Sequence, residues 1–163
     1  FFRSEEPVVP EIVNAVYSLA GRKLGALIAI EREVGLGAFV ESGTPLNAVV
    51  TSELLVTVFW PGSPLHDGAA IIRGGRIVAA GCFFPLSDQP GLARTLGTRH
   101  RAAIGVTEES DALSIVVSEE TTEVSVAHRG HLRMGLKRDE LTRLLEETLM
   151  ETNSAAQSNG GAK

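Results

Sequence analysis

The stretch GAAIIRGGRIVAAG, residues 68–81, constrains the fold more than any other part of the chain. Two apolar runs are separated by the adjacent glycines Gly74 and Gly75. A Gly-Gly pair in that setting predicts a tight turn between two antiparallel strands, and the scarcity of polar side chains predicts that the hairpin is buried. Burial of a hairpin needs covering layers, so the rest of the chain must supply them.

Those layers are legible as alternating elements. Ile12, Val13, Val16 and Leu19 fall at helical spacing within residues 10–22, and Gly21 gives a C-terminal stop. Residues 23–30 read as a buried strand, 35–47 as a loop rich in turn formers, and 47–60 as a second helix despite several β-branched residues. Beyond the hairpin, residues 92–110 read as helical and 112–118 as a buried strand. Residues 122–128 and 131–136 read as a second hairpin, and 137–152 as an amphipathic helix carrying Leu141, Leu144, Leu145 and Leu149. The mixed order predicts an α/β (α+β mixed) fold, a central mixed β-sheet flanked by helices in a single globular domain. Residues 1–152 form that domain in this reading, and the polar segment 153–163 is expected to be a disordered tail.

Bulk properties exclude several function classes. At 163 residues and 44% hydrophobic composition the chain suffices for one core. A net charge of -5 is unlike a nucleic-acid-binding surface, so no nucleic-acid partner is expected and a polyanionic ligand must be held by local cations. Cys82 is the only cysteine, which rules out an internal disulfide and a cysteine zinc cluster and fits a small core residue. The longest apolar run, residues 24–30, is far too short to span a bilayer. The chain opens FFRSEEP without an initiator methionine, so it is expected to be part of a longer protein. There is no Gly-Lys pair for a Walker-type loop, and GLGAFV lacks the third glycine of a dinucleotide fingerprint. His128 and His131 in HRGH read as solvated hairpin residues rather than a metal chelate.

Three short stretches carry chemistry. In LHDGAA, His66 and Asp67 stand at the start of the buried hairpin, with Gly68 and Ala69 leaving room for a ligand to approach the backbone. In GTRHRAAIG, Arg99, His100 and Arg101 form a cationic triplet beside Gly97 and Thr98 at a helix start, a combination suited to polyphosphate. In IVVSEETTEVSV, Ser118, Glu119 and Glu120 follow a buried strand and offer a hydroxyl and acidic groups. Each alone is also an ordinary turn, a solvated helix face or an exposed loop.

Taken together and in order, DGA at 67–69 and RHR at 99–101 resemble the two signature motifs of the diadenylate cyclases, bacterial enzymes that condense two ATP into cyclic di-AMP. The similarity runs from RKLGALIAIERE through EVSVAHRGHL and includes PLHDGAAII, FFPLSD and LGTRHRAAIGVTEESDALSIVVSEE. It is greatest to the membrane-type branch, which implies a cytoplasmic domain of a membrane-anchored protein, attached only through an upstream segment absent here. The resemblance implies that Asp67 activates the ribose 3′-hydroxyl, with Gly68 and Ala69 completing its motif. Thr98, Arg99, His100, Arg101 and Ser118 would hold phosphates. His66, Asp67 and Glu119 would meet a divalent metal, Mn²⁺ or Mg²⁺, and a histidine ligand favours Mn²⁺. Phe83 would stack on adenine and Phe84 would contact it through its backbone. A face-to-face homodimer is implied as the active assembly. Two rivals stand beside this reading: a degenerate module that binds ATP or cyclic di-AMP without catalysis, and a purely structural partner domain.

Overall fold

The computed structural model describes residues 8–160; FFRSEEP and the last three residues of the expected tail lie outside them. The elements in chain order are α1 (Val8–Gly21), β1 (Ala26–Ile30), α2 (Gly37–Val40), β2 (Thr44–Val49), α3 (Ser52–Val58) and β3 (Ala69–Arg73). They continue with β4 (Arg76–Cys82), α4 (Thr98–Glu108), β5 (Leu113–Val117), β6 (Val124–His128), β7 (His131–Arg133) and α5 (Arg138–Gly160). All seven strands join one sheet in the order β2-β4-β3-β1-β5-β6-β7. Only β1 and β3 pair in parallel; every other neighbouring pair is antiparallel. The mixed sheet flanked by helices is therefore as the sequence implies.

The sheet divides the core into two layers by simple alternation. Along β1, Ala26, Ile28 and Ile30 face the cluster built by Ile12, Val16 and Leu19 of α1, Leu55 of α3 and Leu141 and Leu145 of α5. Leu27 and Ala29 face the other cluster, with Ala103, Ile104 and Val106 of α4 and Leu36 ahead of α2. Every residue of β1 and β5 is buried. At the period-two geometry of a strand, such runs require cover on both faces.

The predicted hairpin is present, with β3 and β4 joined across Gly74 and Gly75 and registered from Arg73–Arg76 to Ala69–Cys82. Elsewhere the boundaries differ in instructive ways. The expected helix over 47–60 is cut at its start, because residues 44–49 form edge strand β2 and the helix begins only at Ser52. Thr51 supplies the reason, accepting from the Leu54 amide at 3.1 Å as the N-cap of α3. A four-residue helix interrupts the expected loop at 37–40. The helical reading of 92–110 contracts to α4, whose N-cap is Gly97. The second hairpin's outer strand ends at Arg133 rather than reaching residue 136. At the C-terminus, α5 continues to Gly160 where an unpacked tail from Asn153 was expected. Extension of an existing helix needs no new nucleus, and Ala155, Ala156 and Gln157 are good helix formers.

Candidate active site

Asp67, Gly68, Phe83, Phe84, Thr98, Arg99, His100, Ser118 and Glu119 line one cleft of about 720 Å³. These residues come from three separated parts of the chain: the start of β3, the start of α4 with the loop before it, and the turn after β5. A volume of that size suits a nucleotide-sized ligand. His66, Ala69 and Arg101 are not among the lining residues.

Asp67 reaches solvent at the strand entrance. Gly68 makes this possible: its φ is +101°, and a Cβ there would sit 2.7 Å from the Cys82 carbonyl oxygen. The side on which a Gly68 side chain would stand is filled by β4, while Gly68 itself lines the cleft. Ala69 is fully buried and pairs with Cys82, so it belongs to the scaffold. His66 holds its Nδ1 2.6 Å from the Ser63 carbonyl oxygen. A carbonyl only accepts, so Nδ1 donates here, and in the neutral ring Nε2 carries the lone pair that a ligand would meet.

Helical geometry separates the Arg-His-Arg triplet. Successive residues on a helix point about 100° apart, so three in a row do not face one ligand. Arg99 turns into the cleft, its Nη1 3.4 Å from Glu119 Oε1. His100 is buried, with Nε2 lacking a protein hydrogen-bond partner. Burial first, then the adjacent Arg99 charge, hold its pKa below the ordinary imidazole value, with Glu123 and Glu120 opposing. It is a neutral hydrogen-bonding group rather than a third cation. Arg101 turns back, donating from Nε to the Leu96 carbonyl and from Nη2 to the Ala93 carbonyl, both at 3.3 Å. It braces the loop that leads into α4.

Thr98 is exposed at the first position of α4, and the preceding Gly97 provides no side-chain cap. First-turn amides left open in this way attract anions. Across the cleft, Ser118 Oγ accepts from the Thr121 amide at 3.1 Å, which leaves the hydroxyl proton to donate elsewhere. Phe83 is 61% exposed, whereas the Phe84 ring is buried edge-on against Phe39 with centroids 5.5 Å apart. Of the two rings, only that of Phe83 is exposed enough to stack on a ligand. Burial pushes the Cys82 thiol up to about 11, so this cleft residue is no nucleophile at neutral pH.

The expected metal trio is not assembled. Among the described residues, no group of three His, Cys, Asp or Glu side chains is placed to hold an ion, and Glu119 pairs with Arg99 instead. The neighbours His66 and Asp67 still fit a divalent ion as two donors, given the free Nε2 and the exposed carboxylate. The cleft also contains Glu120, which the sequence pointed to beside Ser118 and Glu119, and Leu86, Thr95, Leu96, Thr121 and Met134, which sequence reasoning did not single out. Leu86 and Met134 are exposed apolar residues outside any strand or helix, and no periodic pattern marks them.

Comparison with known proteins bears on this arrangement. The chain is 45% identical over 156 residues to the cyclic di-AMP synthase CdaA of Bacillus subtilis, covering 96% of this chain and 57% of that protein. The chain thus spans little more than half the length of that relative. A double mutant of DacA from Staphylococcus aureus has the same fold, with a TM-score of 0.86 at 44% identity over 90% of this chain and 97% of the other. The hypothetical membrane spanning protein from Bacillus cereus matches with a TM-score of 0.76 at 47% identity, over 78% of this chain and 63% of that one. Residues 13–132 match the family model described as DisA bacterial checkpoint controller nucleotide-binding, the DAC domain. That match takes in the β3 entrance, the start of α4 and the turn after β5, and the chain belongs to this family.

Proposed function

We propose that this domain is a diadenylate cyclase, which converts two ATP into cyclic di-AMP and two pyrophosphates. The observation that carries the reading is the convergence of Asp67, Thr98, Arg99 and Ser118 on one cleft from three distant segments. The relatives named for cyclic di-AMP synthesis support it.

The chemistry needs alignment, removal of one proton per bond and neutralisation of charge on a leaving pyrophosphate, with no covalent enzyme intermediate. Asp67 takes the proton from the 3′-hydroxyl. The oxygen attacks the α-phosphorus of a facing ATP, the bond to the β-phosphate oxygen breaks, and pyrophosphate departs. Arg99, the Thr98 hydroxyl, the first amides of α4 and the Ser118 hydroxyl hold the phosphates as charge moves onto the leaving group. His100, neutral and inward, adds a hydrogen bond without adding charge. Phe83 stacks on the base while the Phe84 backbone borders it. A divalent cation held by His66 and Asp67, Mn²⁺ or Mg²⁺, would supply further neutralisation of phosphate charge. Because one domain with one ATP presents one hydroxyl and one α-phosphate, two copies must face each other, each serving the other's nucleotide. The longer protein is proposed to be membrane-attached, as the name of the Bacillus cereus relative supports.

The deciding experiment incubates the domain with ATP and Mn²⁺ and follows pyrophosphate and nucleotide products. One cyclic di-AMP for every two pyrophosphates is expected. ATP binding without either product would make the domain a sensor, and no binding would leave it a structural partner.

A further inference from the structure

We infer that Gly25 is a positioning residue that seats the guanidinium of the cleft residue Arg99 against the main chain ahead of β1, an inference that rests on the cyclase reading. Gly25 is buried, one residue ahead of Ala26, which pairs with Val117 of β5. It therefore lies at the sheet end where Ser118 leaves β5. A Cβ at Gly25 would come within 2.5 Å of Arg99 Cζ and 3.0 Å of Nη2, and nearer still to Nη1. The guanidinium thus occupies the volume that any other side chain would fill.

The backbone itself makes no demand for glycine. Gly25 is not one of the residues with positive φ, so alanine fits its conformation without strain. The three atoms a Cβ would meet most closely all belong to Arg99. The requirement is for closeness to one cation, not for a turn. Glu119 holds the same guanidinium at 3.4 Å, so the main chain at Gly25 and the carboxylate after β5 together fix where the cation sits. A methyl group at position 25 leaves the sheet intact and moves the end of a flexible side chain, the cheapest atoms available to give way.

The test compares the parent with Gly25→Ala, Arg99→Ala and the double variant, by thermal melting, ATP affinity and steady-state kinetics. Gly25→Ala is expected to melt close to the parent while ATP affinity and kcat/KM fall about tenfold, the loss of one well-aligned charged contact. In the Arg99→Ala background the same change is expected to cost less than about twofold, because the displaced group is gone. A Gly25→Ala protein that unfolds while the double variant folds also locates the clash at Arg99. Parental kinetics in Gly25→Ala, equal losses in both backgrounds, or unfolding in both would overturn the inference. A parent that binds ATP without making cyclic product removes the cyclase reading and leaves the affinity comparison standing. A parent that does not bind ATP removes both.

Discussion

Arg99 Nη1 lies 3.4 Å from Glu119 Oε1, an ion pair that ties the first turn of α4 to the turn after β5. The Glu119 side chain is 61% exposed and that of Arg99 28%, so the pair is open to solvent and weak, about 1 kcal/mol or less. A phosphate with more negative charge displaces the carboxylate readily. Arg99→Ala is therefore expected to leave the melting temperature nearly unchanged while lowering ATP affinity by about ten- to a hundredfold and slowing turnover. Titration calorimetry checks the affinity, and a parental value would place Arg99 outside the nucleotide site.

Asp67→Asn separates binding from chemistry. The residue is exposed, so the amide is expected to preserve the fold and ATP binding yet lower cyclic product at least about a hundredfold, since it cannot take the proton. Thermal shift with ATP and chromatography of products are the two measurements. Undiminished turnover would remove Asp67 from the mechanism.

Facing sites make a quantitative demand on mixtures. When parent is diluted with Asp67→Asn under conditions where subunit exchange has been verified, mixed pairs form a single bond and linear dinucleotide accumulates. The initial rate of cyclic product then falls as the square of the parent fraction, as random pairing requires. A linear fall with no linear dinucleotide would mean that one subunit completes both bonds.

Arg101 is expected to behave unlike Arg99. Its guanidinium braces the loop through the carbonyls of Leu96 and Ala93. Arg101→Ala should therefore cost stability, on the order of 1–3 kcal/mol in urea unfolding for two lost hydrogen bonds, with ATP affinity weakened only through the loosened loop. A parental urea midpoint together with an Arg99-like loss of affinity would reverse the two roles.

His100 predicts a pH dependence of folding. Burial and the neighbouring Arg99 depress its pKa in the folded state against the pull of Glu123 and Glu120. The unfolded chain therefore binds this proton more readily, and stability rises with pH. The contribution is complete above the unfolded value of about 6.5 and is lost as pH falls from there through the depressed folded pKa. Urea unfolding from pH 8 to 5 should show the decline, and His100→Asn should flatten it. An unchanged slope in the variant would assign the effect to other groups.

The hairpin of β3 and β4 was legible because Gly74 and Gly75 interrupt two apolar runs, and local chemistry alone specifies that turn. Edge strand β2 was not, because most of its residues are exposed and no apolar periodicity distinguishes it from a loop or a helix start. The candidate motifs at Asp67 and Arg99 could be read through their resemblance to a known family. Their grouping could not: Arg101 is adjacent to Arg99 in sequence yet braces a loop, while Gly25, 74 positions away, touches its guanidinium. Proximity created by sheet pairing between distant segments leaves no local trace.

The borders of the sheet limit how another chain's backbone could add to this domain. On one side β2 contains Pro45, which has no amide proton, the left-handed Asn47 and a break in register between Pro45 and Ala48. On the other, β7 is three residues long. Neither border is a continuous template for another chain's backbone, so strand-by-strand growth into fibres or shared sheets is obstructed at both ends. A second chain that met this domain would therefore have to engage side chains and loops rather than an open strand edge.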